Sequence, residues 1–294
     1  MTAIASTQRT VITSPAKINL YLHVTGKRDD GYHDLESLVA FADYGDEISI
    51  SSSSTPIFSK DGAFAHVIPD DQSNSIKRAW RGLELYMGRD LPCHIHITKN
   101  IPAGAGLGGG SSNAASVLHG LIDHFQLQID YDDIMHMALS IGSDVPVCFH
   151  QSPTIMRGCG EDCTPAPTFP TIPMVVIWPN FAHPTGDIYA RLAGSYSVPV
   201  TIPDYFDDAR DLTNFLKIST RNDLEIPAFE LSPQLKDMIK FLSSQKRAMM
   251  TRMTGSGSAF FALFETTEDA DKALASFQKK FPNLWGISTF CLGA

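Results

Sequence analysis

From residue 10 onward, apolar and polar positions alternate in short runs broken by glycine and proline. Ile18, Leu20 and Leu22 alternate with Asn19, Tyr21 and His23, so Thr10 to Val24 reads as a strand interrupted at Ser14-Pro15-Ala16. Gly26 to Gly31 is a charged turn, and Asp46 to Ser51 is a second short strand ahead of a serine-rich loop. The spacing then changes. Ile76, Ala79, Trp80, Leu83 and Tyr86 or Met87 fall on one face of a helix predicted over Ser73 to Met87. His94 to Thr98 alternates again as a strand. Ile101 to Phe125 starts as a glycine loop and becomes a helix with Ala115, Leu118, Leu121, Ile122 and Phe125 inward. A helix over Asp132 to Leu139 ends at Gly142, and the apolar run Val145 to Phe149 reads as a buried strand.

The proline-rich run Cys163 to Pro173 is the best linker candidate. It divides the chain into residues 1–165 and 166–294. After it come a strand at Met174 to Trp178, a helix at Gly186 to Leu192 and a variable loop to about Asn214. A helix at Ser232 to Gln245 leads to a strand, a glycine turn at Thr254 to Ser258 and a strand at Ala259 to Phe264. Helix Glu268 to Phe281 and strand Gly286 to Phe290 close the chain. This β-α-α-β-β-α-β order approaches a split βαβ, α+β layout.

Composition narrows the function classes. Of 294 residues, 43% are hydrophobic and 19% charged, enough for a core and outside the disordered range. The net charge of -9 argues against a general nucleic-acid surface and leaves anion binding to local devices such as backbone N–H groups. The five cysteines fit no zinc or disulfide spacing and read as reduced, structural thiols. Met1 to Thr10 lacks the apolar core of a signal peptide, and no stretch reaches the ~18 apolar residues of a membrane span. A cytoplasmic protein is expected.

The chemistry concentrates at Gly104, Gly106, Gly108, Gly109 and Gly110, after a strand and before a helix. Glycine lets a backbone approach a ligand closely, and the following helix offers free N–H groups and its positive end. This is a nest for phosphate oxygens. It is not a Walker loop, because Ser111-Ser112 follows Gly110 without a lysine. Gly104-x-Gly106-x-x-Gly109 also matches the dinucleotide pattern, with Asp130 about 20 residues on. A dinucleotide-dependent oxidoreductase therefore stays open on the residues alone. Against it, the motif comes late in the chain and carries more glycine and hydroxyl groups than that fold requires.

Five ordered segments carry a resemblance. They are Pro15 to Leu20 (PAKINL), Gly31-Tyr32-His33 with Asp43 to Asp46 (DYGD), Pro102 to Ala114 (PAGAGLGGGSSNA), Gly142 to Pro146 (GSDVP) and Thr254 to Ser258 (TGSGS). Together they resemble the GHMP small-molecule kinases over nearly the whole chain. The resemblance implies a two-domain α+β protein: a ribosomal-S5-like ATP-binding domain, residues 1–165, and a ferredoxin-like second domain, residues 166–294, whose last strand docks on the first. It implies ATP and Mg²⁺, and a small-molecule partner rather than nucleic acid or membrane, in a monomer or weak homodimer. Gly31-Tyr32-His33 and the Asp43 segment look like the branch that phosphorylates the 2-hydroxyl of a cytidine-diphosphate methylerythritol in non-mevalonate isoprenoid synthesis. A homoserine- or mevalonate-type acceptor is the alternative within the family.

By that resemblance Asp144 is the general base and Lys17 its cationic neighbour. Taken alone, Asp144 is a turn residue and Lys17 an exposed strand lysine. Pro102, Gly104, Gly106, Leu107, Gly108, Gly109, Gly110, Ser111 and Ser112 would surround the ATP phosphates, with either serine meeting Mg²⁺. Asn74 and Lys99 would serve the adenine side, although Asn74 also suits a helix N-cap. Tyr32 and Tyr189 would sandwich the cytosine, with His33 and Asn19 reading its edge. Thr185 would support the reacting hydroxyl, and Gly255 and Gly257 would approach the phosphates. Beyond the serine that meets Mg²⁺, protein metal ligands are not expected. The pairs His94/His96 and His119/Asp123 lack a third ligand and read as surface or packing residues. Glu161, in a turn that also fits the family, has no assigned role. The region from Ser195 to Arg221 carries no usable motif.

Overall fold

The alternation at residues 46–51 belongs to a much longer strand. A computed structural model describes residues 9–192, 194 and 196–294; the polar stretch 1–8 lies outside the described residues. Strand β3 (His33–Ser52) runs for 20 residues. Its middle, Leu38 to Ala42, is covered on both faces, so the strand has no alternation to read there. Strands β1 (Arg9–Asn19) and β2 (His23–Lys27) pair antiparallel with it. Pro15 does not break β1. It sits at a register shift between Pro15 and Lys17, where no ladder N–H is needed.

Eleven strands among the described residues form one sheet. Its main path runs from edge strand β4 (Ile57–Asp61) through β5 (Cys93–Thr98) to β3. It continues through β11 (Trp285–Cys291), β8 (Ile172–Trp178), β10 (Phe260–Phe264) and β9 (Ala248–Met253). Strand β6 (Thr154–Gly158) pairs with β3, and β7 (Asp162–Pro165) pairs with β6. The halves join where Cys291 of β11 pairs with Ala42 of β3.

Helix α1 (Ser75–Met87) buries Ile76, Ala79, Trp80 and Leu83, the stripe its periodicity predicts. Asn74 caps it by accepting from the Ile76 N–H at 2.9 Å. With α2 (Gly109–Phe125) and α3 (Tyr131–Ile141) it packs on Ile48, Ile50, Ile95 and Ile97. Full burial of each such isoleucine contributes about 1.5–3 kcal/mol. Helices α8 (Leu235–Ser243) and α9 (Thr267–Lys280) cover Val175, Ile177, Phe260 and Phe264 in the second half. A third cluster joins Ile18 and Leu20 to Phe261, Leu263 and helix α6 (Ala209–Ser219).

Three expectations change. Val145 to Phe149 is a helical turn, α4 (Val145–His150), not a strand. A short apolar run does not tell the two apart, and Pro146 in a first turn favours helix. The proline-rich run is not a free linker: its first residues form β7, an edge strand ending at Pro165, and Ile172 already opens β8. The stretch read as a variable loop to about Asn214 contains the start of α6, and α7 (Glu225–Leu231), with Pro227 inside it, follows before α8.

Candidate active site

Three backbone segments lock together at the base of one cavity. The Lys17 N–H donates to the Leu107 carbonyl at 2.8 Å, and the Ala259 N–H donates to Ala105 at 2.9 Å. The Asn19 N–H donates to the Thr254 hydroxyl at 2.9 Å. The end of β1, the glycine loop and the β9–β10 turn are thereby fixed to one another. Close approach explains two of the glycines. Gly106 has φ +78°, and a Cβ there would lie 2.4 Å from the Thr254 carbonyl oxygen. Gly108 has φ +60° at the start of α2, where a Cβ would lie 2.9 Å from the Lys17 side chain. Neither position accepts a side chain without strain.

The cavity measures about 1080 Å³. Pro102, Gly104, Gly106, Leu107, Gly108, Gly109, Gly110 and Ser111 line it, with Asn74 and Lys99 at one end. The first-turn N–H groups of α2 therefore face a space of nucleotide size. Ser112 is different: its side chain is fully buried and its hydroxyl accepts from Ser14 at 3.0 Å. Of the two serines, only Ser111 lines the cavity.

Lys17 and Asp144 meet at 3.0 Å between Nζ and Oδ2. The lysine side chain is 4% exposed and the carboxylate 34%. Asp144 stands at the N-terminus of α4 without capping it, so its carboxylate stays available to the cavity. Lys17 Nζ also donates to Asn19 Oδ1 at 2.9 Å, and Asn19 Nδ2 donates to Ser37 at 2.8 Å. The buried Asn19 amide is thus spent at both ends inside the protein. It orients Lys17 and also lines the cavity.

Lys99 is equally committed. At 3% exposure its ammonium pairs with Asp46, whose carboxylate also accepts from the Asn113 side chain at 2.7 Å. The other Asp46 oxygen accepts from the N–H groups of Asn100 at 2.7 Å and Ile101 at 2.8 Å. Burial pushes the Lys99 ammonium below the ordinary lysine range, with Asp46 pulling the other way. In the sequence Asp46 stands out only as part of the DYGD motif. Structurally it is the foundation of the glycine loop, and an acid inside an otherwise buried strand was its available signal.

At the opposite end stand Tyr32, His33, Tyr189 and Thr185. Tyr32 is 63% exposed, and the His33 and Tyr189 rings lie 5.0 Å apart. Burial and then Lys27 lower the His33 pKa, so the imidazole is neutral at pH 7 and holds one donor and one acceptor. Thr185 opens helix α5 (Thr185–Tyr189) and lies 3.1 Å from Ser256, hydroxyl to hydroxyl. Gly255 lines the cavity, whereas Gly257 lies behind it against Met253. Glu161 acquires a contact: it accepts from Arg28 at 3.2 Å and from the Cys159 N–H at 2.5 Å. It thereby ties the turn before Tyr32 to the β6–β7 turn. Tyr196, from the stretch without motifs, also lines this end.

The arrangement is that of a phosphoryl transferase. A carboxylate–ammonium pair faces a helix N-terminus on one side and an aromatic recess on the other. A dinucleotide site fits poorly. The loop follows β5, the second strand of the parallel β4–α1–β5 unit, rather than the first strand of such a unit, and Asp130 is not among the lining residues.

Comparison with known proteins agrees. Residues 74–152 match the model of the GHMP kinases N terminal domain, and residues 204–283 that of the GHMP kinases C terminal domain. A 4-diphosphocytidyl-2-C-methyl-D-erythritol kinase of Rhizobium etli is 38% identical over 275 residues, covering 93% of this chain and 92% of that protein. A solved 4-(cytidine 5'-diphospho)-2C-methyl-D-erythritol kinase superposes with a TM-score of 0.75 at 30% identity, over 96% of this chain and 99% of the other. A homoserine kinase from Cytophaga hutchinsonii, at 17% identity, shares the fold with a TM-score of 0.72 over 100% of this chain and 97% of its own. With two domain models matched in order and relatives aligned almost end to end, this chain belongs to the GHMP kinases and is a small-molecule kinase that draws its phosphoryl group from ATP.

Proposed function

We propose that the acceptor is 4-diphosphocytidyl-2-C-methyl-D-erythritol and that its 2-hydroxyl receives the γ-phosphoryl group, a step of non-mevalonate isoprenoid synthesis. The observation that carries this reading is one cavity with the Lys17–Asp144 pair between the glycine loop and an aromatic recess of Tyr32, His33 and Tyr189. The relatives named for that substrate support it.

In this reading residues 1–165 bind the nucleotide, and the acceptor site draws on both halves. The β- and γ-phosphates of ATP rest on the N–H groups from Gly106 to Ser111, and Asn74 borders the adenine. The cytosine stacks between Tyr32 and Tyr189, and His33 reads its edge. Thr185 supports the acceptor hydroxyl. Asp144 takes the proton as the hydroxyl oxygen bonds to phosphorus and the bond to ADP breaks. A carboxylate is a weak base toward a free alcohol, so the proton moves late, once phosphorylation has acidified it. Lys17 holds the carboxylate at 3.0 Å and offsets charge growing on the transferred group.

Magnesium on a nucleotide asks for few protein oxygens, and among the described residues no cluster of three metal-binding side chains exists. Ser111 suits it, since it lines the cavity. When bound, the ion neutralises phosphate charge. Free cysteines throughout the described residues accord with a reducing, cytoplasmic setting. No helix there is long and apolar enough to cross a membrane.

The test is a coupled assay of ADP release with a panel of alcohols. Turnover with the cytidine-diphosphate substrate, and not with homoserine or mevalonate, is expected. Equal or better turnover of either simple alcohol would overturn the assignment.

A further inference from the structure

The segment after Tyr196 is coil, yet it is anchored as firmly as a strand. The Ser197 N–H donates to the Val24 carbonyl at 2.8 Å, and its hydroxyl donates to Asp223 at 2.6 Å and accepts from Arg221 at 2.6 Å. Three residues on, the Val200 N–H donates to Glu36 at 2.8 Å. The Asp223 and Glu36 side chains are only 11% and 2% exposed. Burying two carboxylates is costly unless their bonds are used, and here both hold one strap of backbone. Asp223 further accepts from the Val24 N–H at 2.7 Å, so the strap is fixed to the strand that leads into the Tyr32 turn.

What the strap presents is Tyr196. Its ring stands edge-on to His33, with centroids 6.3 Å apart and planes at 63°. His33 also lies 5.0 Å from the Tyr189 ring, with planes at 32°. Tyr196 is nevertheless 44% exposed and lines the cavity, so it does not serve to fill the core.

We propose that Tyr196 is a specificity-determining residue for the nucleotide base of the acceptor, a third aromatic wall that holds the His33 imidazole at a fixed angle to the base edge. The Ser197–Asp223–Arg221 group is its positioning device. This rests on the cytidine-bearing acceptor proposed above. An imidazole free to swing would meet a cytosine or a uracil edge with equal ease. One in contact with two tyrosine rings offers its donor and acceptor in a single direction.

The experiment compares wild type with Tyr196→Ala, Tyr196→Phe and Ser197→Ala. The substrates are the cytidine-diphosphate alcohol and its uridine counterpart, with KM for ATP and kcat measured alongside. An aromatic contact of this kind corresponds to about a 2- to 12-fold effect. Tyr196→Ala is expected to raise the cytidine-substrate KM by that factor and to lower the cytidine-over-uridine preference equally. KM for ATP and kcat should hold. Tyr196→Phe keeps the ring and should behave as wild type, and Ser197→Ala should move the same two quantities to a lesser extent. An unchanged cytidine KM in Tyr196→Ala, or equal loss on both nucleotides, would overturn the proposal. Wild type that ignores the cytidine substrate altogether would instead overturn the acceptor assignment, and the proposal with it.

Discussion

Replacing Asp46 by Asn tests the claim that a single buried acid underlies the phosphate loop. The side chain is 1% exposed and receives four donors: Lys99, Asn113 and two consecutive backbone N–H groups. Asparagine keeps the shape and one acceptor oxygen, but it removes the charge that compensates Lys99. Breaking one side of a buried pair costs about 3–5 kcal/mol, because the partner is left charged and dry. For a chain this long, about 2 °C of thermal midpoint is lost per kcal/mol, so a fall of roughly 6–10 °C is expected. The bonds to the Asn100 and Ile101 N–H groups set the entry to the glycine loop, so KM for ATP should rise as well. Adding Lys99→Met removes the stranded ammonium. The double variant should recover at least about 2 kcal/mol relative to the sum of the single changes. Differential scanning calorimetry and ATP titration read both effects. A midpoint within about 2 °C of wild type for Asp46→Asn, or strict additivity with Lys99→Met, would refute the reasoning.

Asp144→Asn should lower kcat by about 10²- to 10⁴-fold while the thermal shift given by ATP persists, and near-normal turnover would remove Asp144 from the mechanism. Gly106→Ala puts a methyl 2.4 Å from the Thr254 carbonyl at φ +78°, so the midpoint should drop and ATP affinity should weaken; unchanged values of both would contradict the packing described. His23 is buried and accepts the Arg221 N–H at 3.2 Å on Nε2, and burial lowers its pKa, with Asp223 opposing. The unfolded chain therefore takes up this proton first as pH falls through about 6.5. Stability is full above that value and declines below it. His23→Gln should flatten part of the midpoint-against-pH curve between pH 7 and 5, and an undiminished slope would exclude His23 as a source.

The glycine loop, the α1 stripe and the Lys17–Asp144 pair were legible because each rests on local chemistry or on an ordered motif. Other features were not. The central part of β3 is covered on both faces, and a period of two cannot show where neither face is polar. Val145 to His150 is too short for periodicity to separate helix from strand. The two serines after Gly110 look alike in sequence, and only the Ser14 bond shows which one turns inward. That Asn19 bonds Ser37, 18 residues away, is likewise a contact no local pattern encodes. Tyr196 belongs to coil whose anchors lie on β3 and ahead of α7, contacts that no local pattern encodes.

Strand β3 has a mechanical consequence. Its first residue, His33, lines the aromatic end of the cavity, and Asp46, 13 positions on, holds the entry to the glycine loop. Between them Ala42 is stitched to Cys291 near the chain's other end. That stretch of ribbon, roughly 43 Å in contour, therefore links the two ends of the cavity. Sliding one half of the molecule past the other would tear that ribbon's ladder. Amide exchange along residues 38–42 should be among the slowest in the protein.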